Sequence, residues 1–148
     1  MDSQNPFQAP AAELLANQAP AQSPRLYSVA AIGLGTFVGT SVAGAYFITQ
    51  NLKALGRERE VNKVWAMGIG IFIAMTLAGF LLPDSVPGIV FILPPIFAMN
   101  TYARQLLGPQ LQIHEHFFSL WRAVGIGLLF SLVVVVALIA VVMLSGFE

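Results

Sequence analysis

The chain has no cysteine, which excludes structural disulfides, thiol redox chemistry and thiolate metal sites whichever compartment its loops face. Charge is nearly as scarce. Only 9% of the residues are Asp, Glu, Lys or Arg, against roughly a quarter in an ordinary soluble domain. Seven basic and seven acidic side chains cancel, so no excess of positive charge is available to attract nucleic acid. Where charge is missing matters more than how much. Residues 26–50, 64–82, 86–103 and 123–146 contain no Asp, Glu, Lys, Arg or His at all. An ion-coupled transporter usually carries an ionisable group inside the membrane, so a small proton-coupled exporter is disfavoured.

What is present is apolar surface. With 57% apolar residues and a mean hydropathy of +0.76, the chain reads as an integral membrane protein. The fold class expected is all-α: a membrane bundle of four helices over about 26–50, 64–82, 86–107 and 123–146, each long enough for a hydrocarbon core of roughly 30 Å. The first 25 residues precede the bundle and contain Pro6, Pro10, Pro20 and Pro24 among Ala, Gln and Ser. Such a composition predicts a flexible tail. It does not have the basic start or cleavage site of a signal peptide.

The loop 51–63 concentrates Lys53, Arg57, Arg59 and Lys63, and the positive-inside bias assigns it to the cytoplasm. With four crossings, Arg104 and Arg122 join it on that side and only Arg25 falls on the other. This topology expects loops 51–63 and 104–122 inside and both termini outside.

Packing signals are concentrated in the first two spans. Ala31, Gly35, Gly39 and Ala43 recur every four residues and include a GxxxG pair; Gly70, Ala74 and Ala78 repeat the pattern. Small-residue stripes let helices approach closely, so the two spans are expected to pack on one another across the short basic loop. The alternative use of the stripe on the first span is a dimerisation face, but small-xxx-small spacing more often serves packing within one chain. Tyr27 and Tyr46 suit the two interfaces.

The third span is interrupted by Pro94 and Pro95, which predict a kink. A broken helix can mark a substrate site in a transporter, but a proline kink in a membrane helix is more often structural. Asn100, Thr101, Tyr102 and Arg104 follow as the densest polar cluster beside the membrane. Gly108 and Pro109 then introduce a segment, about 110–122, that reads as an interfacial amphipathic helix. Leu111, Ile113, Phe117, Phe118, Leu120 and Trp121 share one half of its wheel, with His114 alone among them, and Trp121 and Arg122 are its anchors.

Chemistry has one weak candidate. His114-Glu115-His116 holds two imidazoles and a carboxylate, but on a helix residues two apart point about 200° from one another and do not converge on one ion. Ser119 beside His116 has no identifiable orienting carboxylate or oxyanion hole. No catalytic, metal or cofactor residues are therefore assigned. Asn100, Tyr102, Arg104 and His114 are kept as a candidate polar site for a ligand or lipid headgroup, alongside the reading that Arg104 simply snorkels.

The residues GTFVGTSVAGAYFITQNLKALG at 35–56, TYARQ at 101–105 and FSLWRAVGIGLL at 118–129 resemble a group of small bacterial membrane proteins. These share Asn-x-Lys-Ala-Leu-Gly after the first helix and Trp-Arg-Ala before the last, here Asn51 to Gly56 and Trp121 to Ala123. The opening Asn5, Pro6, Phe7 and Pro10 is similar to that of various bacterial membrane proteins. The resemblance implies a bacterial inner-membrane location and supplies no activity. The expected function is nonenzymatic, through a protein partner or self-association among membrane lipids in an assembly, regulatory or immunity-type role. The alternative is a subunit of an oligomeric channel or transporter, and a lipid-acting enzyme sited between Asn100 and His116 is a third class.

Overall fold

The computed structural model describes residues 24–83 and 85–146; the tail expected before residue 24 lies outside them. Four α-helices follow in order, α1 Val29–Ala54, α2 Val61–Leu81, α3 Ile89–Ile113 and α4 Leu120–Ser145, with a short 3-10 turn at Glu58–Glu60. The described residues are thus all-helical. The only extended pairing among them is an isolated parallel bridge between Leu26 and Phe117. Three stretches are long and apolar enough to cross a membrane: Val29–Ala54, Glu58–Leu81 and Leu120–Leu144.

The first of these is not straight. Gly39 (φ −116°, ψ 16°) and Thr40 (φ 70°, ψ 177°) leave helical geometry, and the chain turns back on itself there. A continuous helix of 26 residues would put its ends about 39 Å apart. Instead the Tyr27 amide donates to Asn51 Oδ1 at 2.7 Å, and Asn51 Nδ2 donates to the Tyr27 carbonyl at 2.8 Å. The Tyr27 and Phe47 rings lie 4.8 Å apart. α1 is therefore a hairpin of two short helical arms, 29–38 and 41–54, where one straight helix over 26–50 was expected.

The small residues explain why two arms can lie this close. A Cβ on Gly35 would overlap the Phe47 ring, one on Gly44 would overlap Thr36 Oγ1, and Gly39 faces Ala43. Ala31 and Ala43 are fully buried. The small-residue stripe of the first span is the inner seam of the hairpin. At its outer ends the hairpin is capped conventionally. Ser28 Oγ accepts from the Ala31 amide at 3.2 Å, as an N-cap should. Gly56 (φ 71°) then closes the second arm, with Arg57 N on Leu52 O and Gly56 N on Lys53 O, the paired bonds of a Schellman motif.

The other helices surround the hairpin. α3 lays Pro95, Met99, Ala103, Leu107 and Leu111 against it, a stripe of one residue in four, and α4 contributes Ala123 and Gly127. α3 carries Pro94, Pro95 and Pro109 within one helix and runs to Ile113. α2 turns Val64 and Gly68 inward. Gly70 and Ala74 are exposed and Ala78 is half-buried, so the stripe expected to join α2 to the first span lies on another face. α2 and α3 meet only slightly, and α4 contacts neither.

The interfacial helix expected at 110–122 is also corrected. Residues 111–113 are the last turn of α3, 120–122 are the first turn of α4, and 114–119 run as a non-helical strap. Leu26 N donates to His116 O at 3.2 Å and Phe118 N to Leu26 O at 2.9 Å. The backbone bonds a helix would have supplied come from this pairing instead. The apolar half of the wheel combined residues from two helix ends and the strap between them.

Candidate functional sites at the two ends of the hairpin

The open end of the hairpin is polar and tightly tied. Asn51, 1% exposed, clamps Tyr27, and the Tyr27 ring packs 4.7 Å from Phe118. Arg122 covers the opposite partner, its guanidinium carbon 4.3 Å from the Phe118 ring, within cation–π range. Burial raises the Tyr27 phenol above its ordinary pKa, with Arg122 pulling it the other way. Arg57 reaches across from the basic loop: Nη1 donates to Leu106 O at 2.7 Å and to Gln110 Oε1 at 3.2 Å, while Nε and Nη2 hold Glu60. This planar fork ties the basic loop to α3 while holding Glu60, a task for which arginine geometry is suited.

The four residues of the expected polar site do not converge. Asn100 faces Gly33, where an added Cβ would stand 2.8 Å from Nδ2, and its Oδ1 is buried with no hydrogen-bond partner. Tyr102 is half-buried against the core. His114 Nε2 lies 2.6 Å from the Pro24 carbonyl and therefore donates to it. Arg104 is exposed and borders a cleft of about 400 Å³ with Ser28, Gln112 and Phe117. The extended strap puts alternate side chains on one side, so His114 and His116 meet a condition for sharing an ion that a helix denies them. Yet His114 is engaged by Pro24, and no group of three His, Cys, Asp or Glu side chains capable of holding a metal occurs among the described residues.

The closed end of the hairpin was not anticipated as a site. A cavity of about 230 Å³ lies at the turn, bordered by the hydroxyls of Thr36, Thr40, Ser41 and Thr76 and walled by Phe37, Phe72, Phe91 and Pro95. Three of these hydroxyls donate to backbone carbonyls: Thr36 to Ile32 at 2.8 Å, Ser41 to Gly68 at 2.8 Å and Thr76 to Phe72 at 2.9 Å. Thr40 Oγ1 accepts a long bond of 3.4 Å from the Val42 amide. With their protons committed, Thr36, Ser41 and Thr76 offer a guest mainly oxygen lone pairs. The signal for this site was the run Gly39-Thr40-Ser41, a polar turn sequence in the middle of an apolar stretch.

Geometry thus defines an all-helical protein with membrane-length apolar helices gathered around a buried helical hairpin. Compared with protein-family models, curated proteins and solved structures, the chain matches none.

Proposed function

We propose that this is a nonenzymatic protein of a bacterial inner membrane, with loops 51–63 and 104–122 in the cytoplasm, that acts by associating with other membrane helices. Those helices belong to a partner protein or to further copies of the chain, in an assembly, regulatory or immunity-type role. The observation that carries this reading is the incompleteness of the bundle. α4 touches neither α2 nor α3, and large apolar side chains such as Phe80, Phe97, Leu132 and Val133 are 60–79% exposed. Inside a bilayer lipid tails are as apolar as leucine, so helices associate through packing, and small residues permit the closest packing. Gly70 and Ala74 offer such a face on α2.

The test is purification of the intact protein in mild detergent, with the mass of the complex measured and its components identified. A stoichiometric protein partner, or a homo-oligomer, is expected; a lone 15.9 kDa chain at working concentration overturns the reading. A second reading, a channel or transport subunit, is favoured by the hydroxyl-bordered cavity at the hairpin turn, because broken helices are where membrane transporters expose backbone and polar groups to a solute. Flux through proteoliposomes that changes on Thr40→Val or Thr76→Val supports it.

A further inference from the structure

We infer that α1 is re-entrant: the hairpin enters and leaves the membrane on the side of the basic loop, so that the N-terminal tail is cytoplasmic and the chain crosses only three times. Three observations converge on this arrangement.

The first is geometric. Both ends of the hairpin are fastened at one end of the molecule, by Tyr27 with Asn51, by Leu26 with the strap between α3 and α4, and by Arg57 with the last turns of α3. The turn meets Gly68 of α2 and Gly127 of α4, each seven residues past the helix start at Val61 or Leu120, a depth of about 10 Å. Arms of 10 and 14 residues reach about 15 and 21 Å, short of a hydrocarbon core of roughly 30 Å. α2 and α4 continue beyond the turn, and α3 must return between them because α4 begins beside Leu26. α2, α3 and α4 are then the crossings.

The second is electrostatic. With four crossings Arg25 stands alone opposite the other six basic residues. A re-entrant hairpin moves Arg25 to join Lys53, Arg57, Arg59, Lys63, Arg104 and Arg122, and all seven basic residues of the chain lie on one side. The positive-inside bias then has no exception.

The third is the condition that non-helical backbone at membrane depth be covered by protein. Gly39 is pressed against the Gly127 backbone, where an added Cβ would come 2.6 Å from the carbonyl oxygen. Ser41 bonds Gly68, and Thr40 caps the second arm through Val42. Gly39 and Ser41 are thus buried by their own chain, and Thr40 between them is half-buried.

The absence of cysteine makes the test clean, since one introduced thiol is the only one present. Ser3→Cys in the tail, Asn62→Cys at the start of α2 and Ser85→Cys between α2 and α3 are made singly in the full chain. Each is treated with a membrane-impermeant maleimide in intact spheroplasts and again after permeabilisation. S85C is expected to label in intact spheroplasts, whereas S3C and N62C label only once the membrane is opened. Labelling of S3C in intact spheroplasts overturns the inference. None of the three positions lies in the hairpin, so the native fold is left to report itself.

Discussion

Two side chains decide whether the hairpin closes. The Asn51 side chain answers both backbone groups of Tyr27, and it does so where water is excluded. Asn51→Ala strands a buried donor and a buried acceptor, and each costs about 1–3 kcal/mol when left unmade. The expected loss is about 2–6 kcal/mol, read as a lowered unfolding midpoint in detergent. Thr40 pulls the other way. At φ 70° and ψ 177° it occupies a region essentially reserved for glycine, at a cost of roughly 1–3 kcal/mol. What the threonine returns is one 3.4 Å bond to Val42. Thr40→Gly is therefore expected to raise stability by about 1 kcal/mol in the same measurement, and a clear loss would show that the hydroxyl matters more than the strain. Neither role was legible in the sequence. Asn51 reads as the polar end of a span, and Thr40 as an ordinary hydroxyl in an apolar run.

Among the elements, the small-residue stripes were visible in the sequence but their partners were not. Spacing of four identifies a face that lets another helix approach; it does not say which helix. Ala31, Gly35, Gly39 and Ala43 pack within their own hairpin because 25 uncharged residues are enough for one crossing or for two half-crossings, and hydropathy does not distinguish them. The break needed Gly39-Thr40-Ser41 to be weighed as a turn. The strap between α3 and α4 failed for a related reason: a helical wheel sorts any mixed segment into halves, and only the backbone pairing with Leu26 shows that 114–119 is not helical. A pair of glycine substitutions separates the two stripes. Gly39→Ala drives a methyl group into the Gly127 backbone, and overpacking of this kind costs about 1–3 kcal/mol. Gly70→Ala meets nothing within 4 Å and gains helix propensity of up to about 1 kcal/mol. Opposite shifts of the unfolding midpoint are expected, and a similar loss for both would mean that α2 packs on α1 through the other face.

For the molecule as a whole, the location of the core and the location of the interaction surface are separate questions. The core is gathered at the basic end, where the hairpin fills the space between α2, α3 and α4, and past the turn, among the described residues, neither α2 nor α4 has a buried residue. The all-α class, the apolar helices and the basic loop were all readable from composition and charge, because bilayer thickness and charge bias act on whole segments. The confinement of the core to one end was not, since it follows from a filler that stops at the depth of Gly68 and Gly127. It also sets where association should be sought. Gly35 and Gly39 are spent inside the chain, so substituting them with isoleucine reports on folding. Gly70 and Ala74 are exposed, and their joint replacement by isoleucine places two branched side chains on a face that none of the described residues occupies. If that face joins the protein to a partner or to itself, the double variant keeps the wild-type unfolding midpoint of the isolated chain and loses complex mass in mild detergent. If the complex persists at full mass, the contact lies elsewhere, and the exposed length of α4 beyond Gly127, with Leu132, Val133 and Val136 on its surface, is the next surface to alter.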